Sequence, residues 1–350
     1  MIDPAFWQGR RVWLTGHTGF KGSWLTLWLQ ALGAEVHGFS HDVSPLYEEA
    51  DVADGLAGDA RGDVRSRSEL RAAVARARPD VVFHLAAQAL VRTGFERPVE
   101  TFTVNTGGTA KVLEALRDHG QPRAVVVVTS DKCYRNDGAG RRFTENDALG
   151  GDDPYAASKA GQEHVAAAFR GLGLPVATVR AGNVLGGGDT APGRLVADVM
   201  RAAEGGEPLQ VRAPGAVRPW QHVLCPLEGY LAVAERLASD PATTAPSWNL
   251  GPDEDDEVPV GALVEALRQR WPGGLMVRAA PPGAAAGEAP VLRLDSTLAR
   301  EELGWAPRWD LPRALDETVA WHVRRTEGAD MRAETLKQIE AFSDDGTVSG

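Results

Sequence analysis

Lysine is scarce in this chain of 350 residues. Lysine and arginine together number 37, yet the lysines are limited to Lys21, Lys111, Lys132, Lys159 and Lys337. A sequence that uses arginine wherever either cation serves will keep lysine where a compact ammonium on a flexible stem is needed. Lys21, Lys132 and Lys159 each fall within a short motif, so we predict that these three mark a functional site.

Cysteine is also scarce, and long apolar runs and an excess of basic residues are missing. Cys133 and Cys225 are the only cysteines, which excludes a disulfide framework. Apolar runs such as Val125–Val128 have the length of a strand and are too short to span a membrane. The net charge of -11 argues against nucleic acid as a partner. Because Met1–Pro4 lack a basic region followed by an apolar core, we expect no signal peptide, no membrane partner and a cytoplasmic location.

The first half of the chain alternates short β-branched runs with longer helical patterns. This alternation predicts an α/β fold, a doubly wound parallel sheet of the Rossmann type. The predicted strands are Arg11–Thr15, Glu35–Phe39, Val81–Leu85, Ala124–Ser130 and Val176–Ala181. The predicted helices between them are Lys21–Leu32, Arg67–Ala77, Val99–His119 and Tyr155–Gly171.

The pattern loosens from about Gly186, where proline and glycine become frequent. We predict that residues 1–185 form the sheet domain and that 186–330 mainly form a smaller mixed α/β lobe for the substrate, with some segments returning to the first domain. We expect 331–350 to be a polar tail that frays and Pro281–Ala289 to be a flexible loop. The helices predicted in the smaller lobe are Ala197–Glu204, Pro226–Leu237, Val260–Trp271 and Leu311–Arg325.

A glycine-rich turn follows the first predicted strand. Gly16, Gly19 and Gly22 precede an apolar helix, a pattern whose backbone amides can approach the pyrophosphate of a dinucleotide. A P-loop is excluded because Lys21 precedes Gly22, the wrong order for that motif. The acid that usually binds the ribose is missing from Gly38–His41, which leaves NAD and NADP both open.

Two further features near this turn are weaker indications of a binding site. Asp63 and Val64 follow another short strand, where Asp63 could bind the adenine amino group or be an ordinary surface residue. His37 and His41 are spaced four apart, but a strand does not bring such positions together and no third ligand is near. We therefore expect no metal site.

Tyr155 and Lys159 are spaced four apart at the start of a predicted helix, which places phenol and ammonium on one face. A free tyrosine has a pKa of about 10 and is a poor base at neutral pH. A nearby ammonium and a positively charged nicotinamide would favour the phenolate. Tyr155 could then take a hydroxyl proton while a hydride leaves the same carbon.

These motifs give the chain a family resemblance that covers roughly residues 8–325. The chain resembles the extended short-chain dehydrogenase/reductases that modify nucleotide sugars, and within them the CDP-glucose 4,6-dehydratases. The stretches that carry the resemblance are Thr15–Trp24, His84–Gln88, Leu90–Arg92, Thr129–Tyr134, Gly150–Tyr155, Arg180–Asp189 and Arg218–Val223. The most specific of these are Ser130-Asp131-Lys132 and Arg218–His222.

The resemblance implies a lyase that converts CDP-glucose to CDP-4-keto-6-deoxyglucose with recycled NAD. It implies that Tyr155 and Lys159 act at the sugar C4, that Ser130 binds the developing ketone, and that Asp131 protonates the departing C6 hydroxyl. Lys132 stands where related enzymes have a glutamate, the base for C5. As a base, Lys132 must be a neutral amine, which burial and nearby positive charge favour. Otherwise it steadies an enolate, or pairs structurally with Asp131.

The resemblance also implies the residues that contact ligands, and a homodimer through the helices Val99–His119 and Tyr155–Gly171. The implied cofactor-binding residues are Gly16, Thr18, Gly19, Phe20, Lys21, Gly22, Asp63, Val64, Leu85, Ala86, Ala87, Tyr155 and Lys159. The implied substrate-binding residues are Gln88, Arg92, Asn183, Arg194, Arg218 and His222, of which the histidine could instead be a packed residue.

Several loops depart from the family pattern because they lack expected aromatic residues: Asn136–Arg142, Asp152, Thr190 and Ala213–Ala216. We expect these loops to line the mouth of the nucleotide-sugar site, so the base and the sugar stay open. The alternatives are an epimerase, a 4-reductase, a dehydratase of another nucleotide sugar, or a nucleotide-sensing binding protein. Asp131 argues against an epimerase, which needs no acid at C6.

Overall fold

The chain is built around a seven-stranded sheet in which neighbouring strands are all parallel. The computed structural model describes residues 2–242, 244–280 and 291–345. The strands of these residues are β1 (Arg11–Thr15), β2 (Glu35–Ser40), β3 (Gly58–Arg61), β4 (Val81–His84), β5 (Ala124–Val128), β6 (Val176–Ala181), β7 (Asn183–Leu185), β8 (Leu209–Val211), β9 (Val217–His222), β10 (Ser247–Leu250), β11 (Glu257–Pro259) and β12 (Val277–Ala279).

Helices cover both faces of this sheet. The α-helices are α1 (Pro4–Trp7), α2 (Phe20–Ala31), α3 (Pro45–Glu49), α4 (Arg67–Ala77), α5 (Val91–Glu96), α6 (Pro98–Phe102), α7 (Thr109–His119), α8 (Pro154–Gly171), α9 (Leu195–Gly205), α10 (Leu224–Ser239), α11 (Val260–Arg270), α12 (Thr297–Leu303), α13 (Leu311–Thr326) and α14 (Met331–Asp344). A π-helix spans Thr103–Gly108, and 3₁₀-helices span Asp131–Cys133 and Glu254–Asp256. Among the described residues, no helix is long and apolar enough to cross a membrane.

The order of the strands in the main sheet is β10-β6-β5-β4-β1-β2-β3. The chain runs outward from β1 in one direction and from β4 in the other, so the strand order reverses between these two strands. Such a reversal leaves a crevice at the carboxyl ends of the strands, where α/β proteins bind ligands. Every residue of β4 and β5 is buried, as expected for strands covered on both faces. The predicted doubly wound α/β fold is confirmed.

The predicted helix Val99–His119 is wrong in its middle, where the π-helix separates α6 from α7. The wide turn is held by Asn105, whose amide donates to the main-chain oxygen of Gln88 at 3.0 Å and to Ser158 Oγ at 2.9 Å. The interruption therefore comes from contacts with distant parts of the chain, and π-turns of this kind are frequent near functional sites.

The smaller lobe contains a three-stranded sheet of β11, β9 and β7 and a two-stranded sheet of β12 and β8. Its apolar core includes side chains from α9, α11 and α13. Strand β10 lies between β9 and β11 in sequence but belongs to the main sheet, where it pairs in parallel with β6 at the edge. The boundary between residues 185 and 186 stays a prediction, and the predicted loop Pro281–Ala289 lies outside the described residues.

The expectation of a frayed tail is wrong for residues 331–344, which form α14. Met331, Ile339 and Phe342 lie on one face of this helix and are buried in the main core. The ring of Phe342 lies 5.7 Å from that of Trp28 in α2. Apolar residues that share one face are enough to anchor a helix whose other positions are mostly polar.

Candidate active site

One cavity of about 1440 Å³ opens at the carboxyl ends of β1, β4 and β5 and is bounded on its other side by the smaller lobe. The residues that the sequence assigns to the cofactor, to catalysis and to the substrate all line it, except His222. The three motif lysines, Lys21, Lys132 and Lys159, are among them. Three of the five lysines of the chain therefore line one cavity.

The glycine turn is packed too tightly for larger residues. A Cβ on Gly16, whose φ is +77°, would lie 2.8 Å from the main-chain nitrogen of Ala86. A Cβ on Gly22 would lie 2.0 Å from the main-chain oxygen of Gly16. Gly19 precedes α2 and, within the described residues, no side chain caps that helix, so its first amides are available to an anion. This turn fits the pyrophosphate of a dinucleotide.

Asp63 lines the same cavity beyond the end of β3, but its carboxylate already has a partner. The guanidinium of Arg65 donates to it through Nε, 2.9 Å from Oδ2, and this hydrogen bond holds the pKa of Asp63 below its ordinary value. Arg65 also lines the cavity, and the sequence analysis missed it. Its position two residues after Asp63 was the available signal.

Tyr155 and Lys159 lie one turn apart at the start of α8, which Asp153 caps by accepting a hydrogen bond from the amide of Ala156 at 2.9 Å. Burial raises the pKa of Tyr155 to about 12, and a hydrogen bond with Ser130 opposes part of this rise. The ammonium of Lys159 lies 5.9 Å from the centre of the Tyr155 ring. The protein groups alone therefore keep Tyr155 a neutral phenol.

Ser130, Asp131 and Lys132 form a compact turn that leads into the 3₁₀-helix after β5. Ser130 Oγ donates to Asp131 Oδ1 at 2.9 Å and accepts the main-chain amide of Lys132 at 3.2 Å. The ammonium of Lys132 also donates to Asp131 Oδ1, at 3.3 Å. Asp131 Oδ2 is buried and has no hydrogen-bond partner among the described residues. This turn thus places the buried carboxyl group of Asp131 in the lining of the cavity.

Lys21 links the glycine turn to α10, a helix that packs in the main core. Its ammonium donates to the hydroxyl of Tyr230 in α10 at 3.3 Å. Burial, followed by the nearby charge of Arg194, lowers the pKa of Lys21 to about 8. A buried ammonium at this point favours an anionic group in the cavity, because such a group would restore the ordinary pKa.

Three of the predicted substrate residues lie on the smaller-lobe side of the cavity. Asn183 has a buried Oδ1 with no partner among the described residues. Arg194 pairs with Asp189 at 3.1 Å, and the mostly buried Arg218 donates to the main-chain oxygen of Val217 at 2.8 Å. Arg212, just after β8, also lines this side and was not assigned from the sequence.

Gln88 and Arg92 line the cavity near α5, but their side chains have other partners there. The Gln88 amide donates to Leu90 O and to Thr101 Oγ1, both at 3.0 Å, and accepts the amide of Leu90 at 2.6 Å. Gln88 therefore holds the loop after β4 in shape. The exposed Arg92 pairs with Glu96 at 2.9 Å.

The sequence analysis placed His222 among the substrate-binding residues. His222 is not among the described residues that line the cavity, so this expectation is corrected. It is fully buried, with its ring centre 5.8 Å from Trp24 and 4.8 Å from Trp309. Its Nδ1 accepts the main-chain amide of Leu224 at 3.3 Å, and burial lowers its pKa to about 3. His222 is thus a neutral packed residue, the alternative considered from the sequence.

The loops that lack the expected aromatic residues do reach the cavity. Asn136, Asp152, Thr190 and Ala213, one from each of these loops, all line it. Small and polar side chains therefore replace rings at the mouth of the site, and each lost ring contact removes about 1 kcal/mol of stacking.

Comparison with known proteins gives consistent matches. The model of a family described as the NAD dependent epimerase/dehydratase family matches residues 12–251. A CDP-glucose 4,6-dehydratase of Salmonella typhimurium is 42% identical to this chain and covers 98% of both chains. The structure of UDP-glucose 4-epimerase from Thermus thermophilus in complex with NAD is 28% identical, with a TM-score of 0.76 over 90% of this chain and 99% of that one. The dTDP-glucose 4,6-dehydratase of Bacillus anthracis in complex with NAD is 22% identical and shares the fold, with a TM-score of 0.75 over 92% of this chain and 99% of that one.

Proposed function

We propose, from the premise that this chain belongs to the NAD dependent epimerase/dehydratase family, that it converts CDP-glucose to CDP-4-keto-6-deoxyglucose and water. The buried carboxyl group of Asp131 carries this proposal, because Asp131 lines the cavity and its Oδ2 has no partner among the described residues. Loss of water from C6 needs an acid for the departing hydroxyl, whereas inversion at C4 does not. The similarity to the Salmonella enzyme over the whole chain supports CDP-glucose as the substrate.

NAD is the proposed cofactor, with the turn of Gly16, Gly19 and Gly22 holding its pyrophosphate. NAD, when bound, supplies a hydride acceptor for C4 and returns the hydride to C6, so the reaction has no net redox change. Two similar structures contain NAD, which supports NAD over NADP. Ser40, at the end of β2, accepts a hydrogen bond from Thr18 at 2.6 Å where an acid usually binds the ribose. Asp63 also lines the cavity, and we propose that it contacts the adenine.

In the proposed reaction Tyr155 removes the proton of the C4 hydroxyl. Its high pKa means that the phenolate needs positive charge close by, and Lys159 supplies part of it. The hydroxyl of Ser130, which interacts with Tyr155, would donate to the developing C4 ketone. The three groups thus act on one carbon of the sugar.

The second half of the proposed reaction uses Asp131 and Lys132. The C4 ketone acidifies C5, the C5 proton is removed, and Asp131 protonates the C6 hydroxyl, which leaves as water. Lys132, which lines the cavity with its ammonium 3.3 Å from Asp131 Oδ1, would take the C5 proton or stabilise the enolate.

We further propose that Asn183, Arg194 and Arg218 contact the nucleotide diphosphate, since a forked guanidinium suits phosphate oxygens. The homodimer is also a proposal, supported by exposed apolar residues on α5 and α6: Phe95, Val99 and Phe102 are 57%, 75% and 41% exposed. The cytoplasmic location expected from the sequence stays a prediction.

Mass spectrometry of products tests this function. The purified protein is incubated with NAD⁺ and, in separate reactions, CDP-, dTDP-, UDP- and GDP-glucose. We expect loss of one water from CDP-glucose with no net NADH. Water loss only from another nucleotide sugar would change the proposed substrate and leave the proposed reaction unchanged. An isomer, or stoichiometric NADH, without water loss would overturn the dehydratase proposal in favour of an epimerase or reductase.

A further inference from the structure

A buried carboxylate, Glu163 of α8, lies beside the turn that carries Ser130 and Asp131. One of its oxygens, Oε1, accepts a short hydrogen bond from the hydroxyl of Thr129. The other, Oε2, accepts from Thr178 Oγ1 and from the guanidinium of Arg180, each at 2.7 Å. The side chains of Glu163 and Arg180 are 3% and 4% exposed, so this is a fully buried ion pair.

The same ion pair also reaches the far end of the turn. Arg180 Nη1 donates to the hydroxyl of Tyr134 at 2.8 Å, and that hydroxyl donates to Asn249 Oδ1 at 2.6 Å. Thr129 comes directly before Ser130, and Tyr134 directly follows the 3₁₀-helix that ends at Cys133. One buried charge pair therefore holds the residues on both sides of the turn.

Glu163 also belongs to the face of α8 that carries the other proposed catalytic groups. Tyr155, Lys159 and Glu163 are spaced four apart along this helix, so all three point to the same side. A buried ion pair is weak evidence for stability, because desolvation of two charges offsets their attraction. Its location next to the turn indicates a role in geometry instead.

We propose that Glu163, fixed by Arg180, is a positioning residue that sets the placement of Ser130 and Asp131 through the hydroxyl of Thr129. This inference rests on the proposed function, because its effect is on the step in which Asp131 protonates the C6 hydroxyl. The hydrogen bond from Thr129 transmits the position of α8 to the turn. The bond from Thr178 reaches the same carboxylate from the interior of β6.

The chain therefore offers a matched pair of variants, Thr129→Val and Thr178→Val. Each removes one hydroxyl donor to Glu163, from β6 in one case and from the residue after β5 in the other. Both leave the Glu163–Arg180 pair intact. Glu163→Gln is a poorer test, because it leaves the guanidinium of Arg180 buried without a charge partner.

Three measurements separate positioning from stability: the melting temperature of the ligand-free protein, kcat and KM for CDP-glucose, and absorbance at 340 nm during a single turnover. We expect both variants to lose similar thermal stability. Thr129→Val is expected to lower kcat roughly tenfold or more with KM little changed, the size expected for a lost hydrogen bond to a charged group. It should also accumulate reduced cofactor, because elimination slows more than oxidation at C4.

Thr178→Val should keep kcat and show no such accumulation, and Thr129→Ser should restore both kcat and the wild-type trace. Equal kcat in the two valine variants would overturn the positioning role and leave Glu163 a purely structural residue. The wild-type protein is the reference for the proposed function itself. If it releases no water from any nucleotide sugar, the function fails, and the positioning inference fails with it for a distinguishable reason.

Discussion

The ammonium of Lys159 donates to the main-chain oxygen of Val128, the last residue of β5, at 3.3 Å. Lys159 is 3% exposed, and burial, followed by the charge of Lys21, lowers its pKa from 10.5 to about 7. Between these two values the unfolded chain binds more protons than the folded chain at this position. The contribution of Lys159 to folding stability therefore rises with pH through that window and is least favourable below about pH 7.

Lys159→Met should therefore raise the melting temperature at pH 6, by roughly 2 °C or more, since it removes a buried ammonium while keeping the side-chain volume. The gain should shrink toward pH 10, where the wild-type amine is neutral in the fold. Calorimetry at the two pH values measures this, with Lys337→Met, at an exposed position of α14, as the control. An equal gain at both pH values would show that burial does not disfavour the charge of Lys159.

Tyr155→Phe should lower kcat about 10²- to 10⁴-fold, because it removes the base for the C4 hydroxyl and leaves the ring in place. Product formation from CDP-glucose, followed by mass spectrometry, gives the rate. Tyr47→Phe is the matched control, since its hydroxyl donates to Asp59 Oδ2 at 2.8 Å and Tyr47 is not among the described residues that line the cavity. Retained turnover in Tyr155→Phe would remove this residue from the proposed chemistry.

Lys132→Ala should slow elimination and leave oxidation at C4 in place, so reduced cofactor should accumulate after mixing with CDP-glucose. Stopped-flow absorbance at 340 nm detects it. Lys337→Ala serves as the control for the loss of one lysine. Full turnover without accumulation would limit Lys132 to a structural pair with Asp131, the alternative that the sequence left open.

Gly22→Ala should weaken NAD⁺ binding, because the new methyl group would meet the main-chain oxygen of Gly16 and force the turn to shift. Overpacking of this kind costs about 1–3 kcal/mol, which corresponds to roughly a tenfold or larger rise in Kd. Isothermal titration calorimetry measures the affinity. Gly171→Ala, where an added Cβ meets no atom within 4 Å among the described residues, should bind NAD⁺ as the wild type does.

Five of the seven strands of the main sheet, β1, β2, β4, β5 and β6, were predicted from the sequence because strands covered on both faces are rich in apolar residues. Ala124–Val128 is such a strand, and the structure buries each of its residues. The π-helix at Thr103–Gly108 could not be predicted, because Asn105 forms it through contacts with Gln88 and Ser158, which local periodicity does not contain. The helix α14 was missed because most of its residues are polar.

The same distinction between local and long-range contacts separates the site residues that the sequence predicts from those that it does not. Motifs that are contiguous in sequence, such as Tyr155 with Lys159, were found because spacing on a helix fixes their geometry. His222 was misassigned because its motif lies next to cavity residues in sequence while its ring points into the core. The Glu163–Arg180 pair could not be predicted as a unit, since it joins a helix to a strand through the folded core.

The contact between Trp28 and Phe342 bears on how the protein folds. Trp28 belongs to α2, the helix that begins at the glycine turn, and Phe342 lies in α14, at the other end of the described chain. Contacts between residues so distant in sequence form late, because closing a long loop costs chain entropy before the contact repays it. Because Trp28 and Phe342 share one core, α14 stabilises the helix that begins at the glycine turn, and loss of α14 should weaken that support.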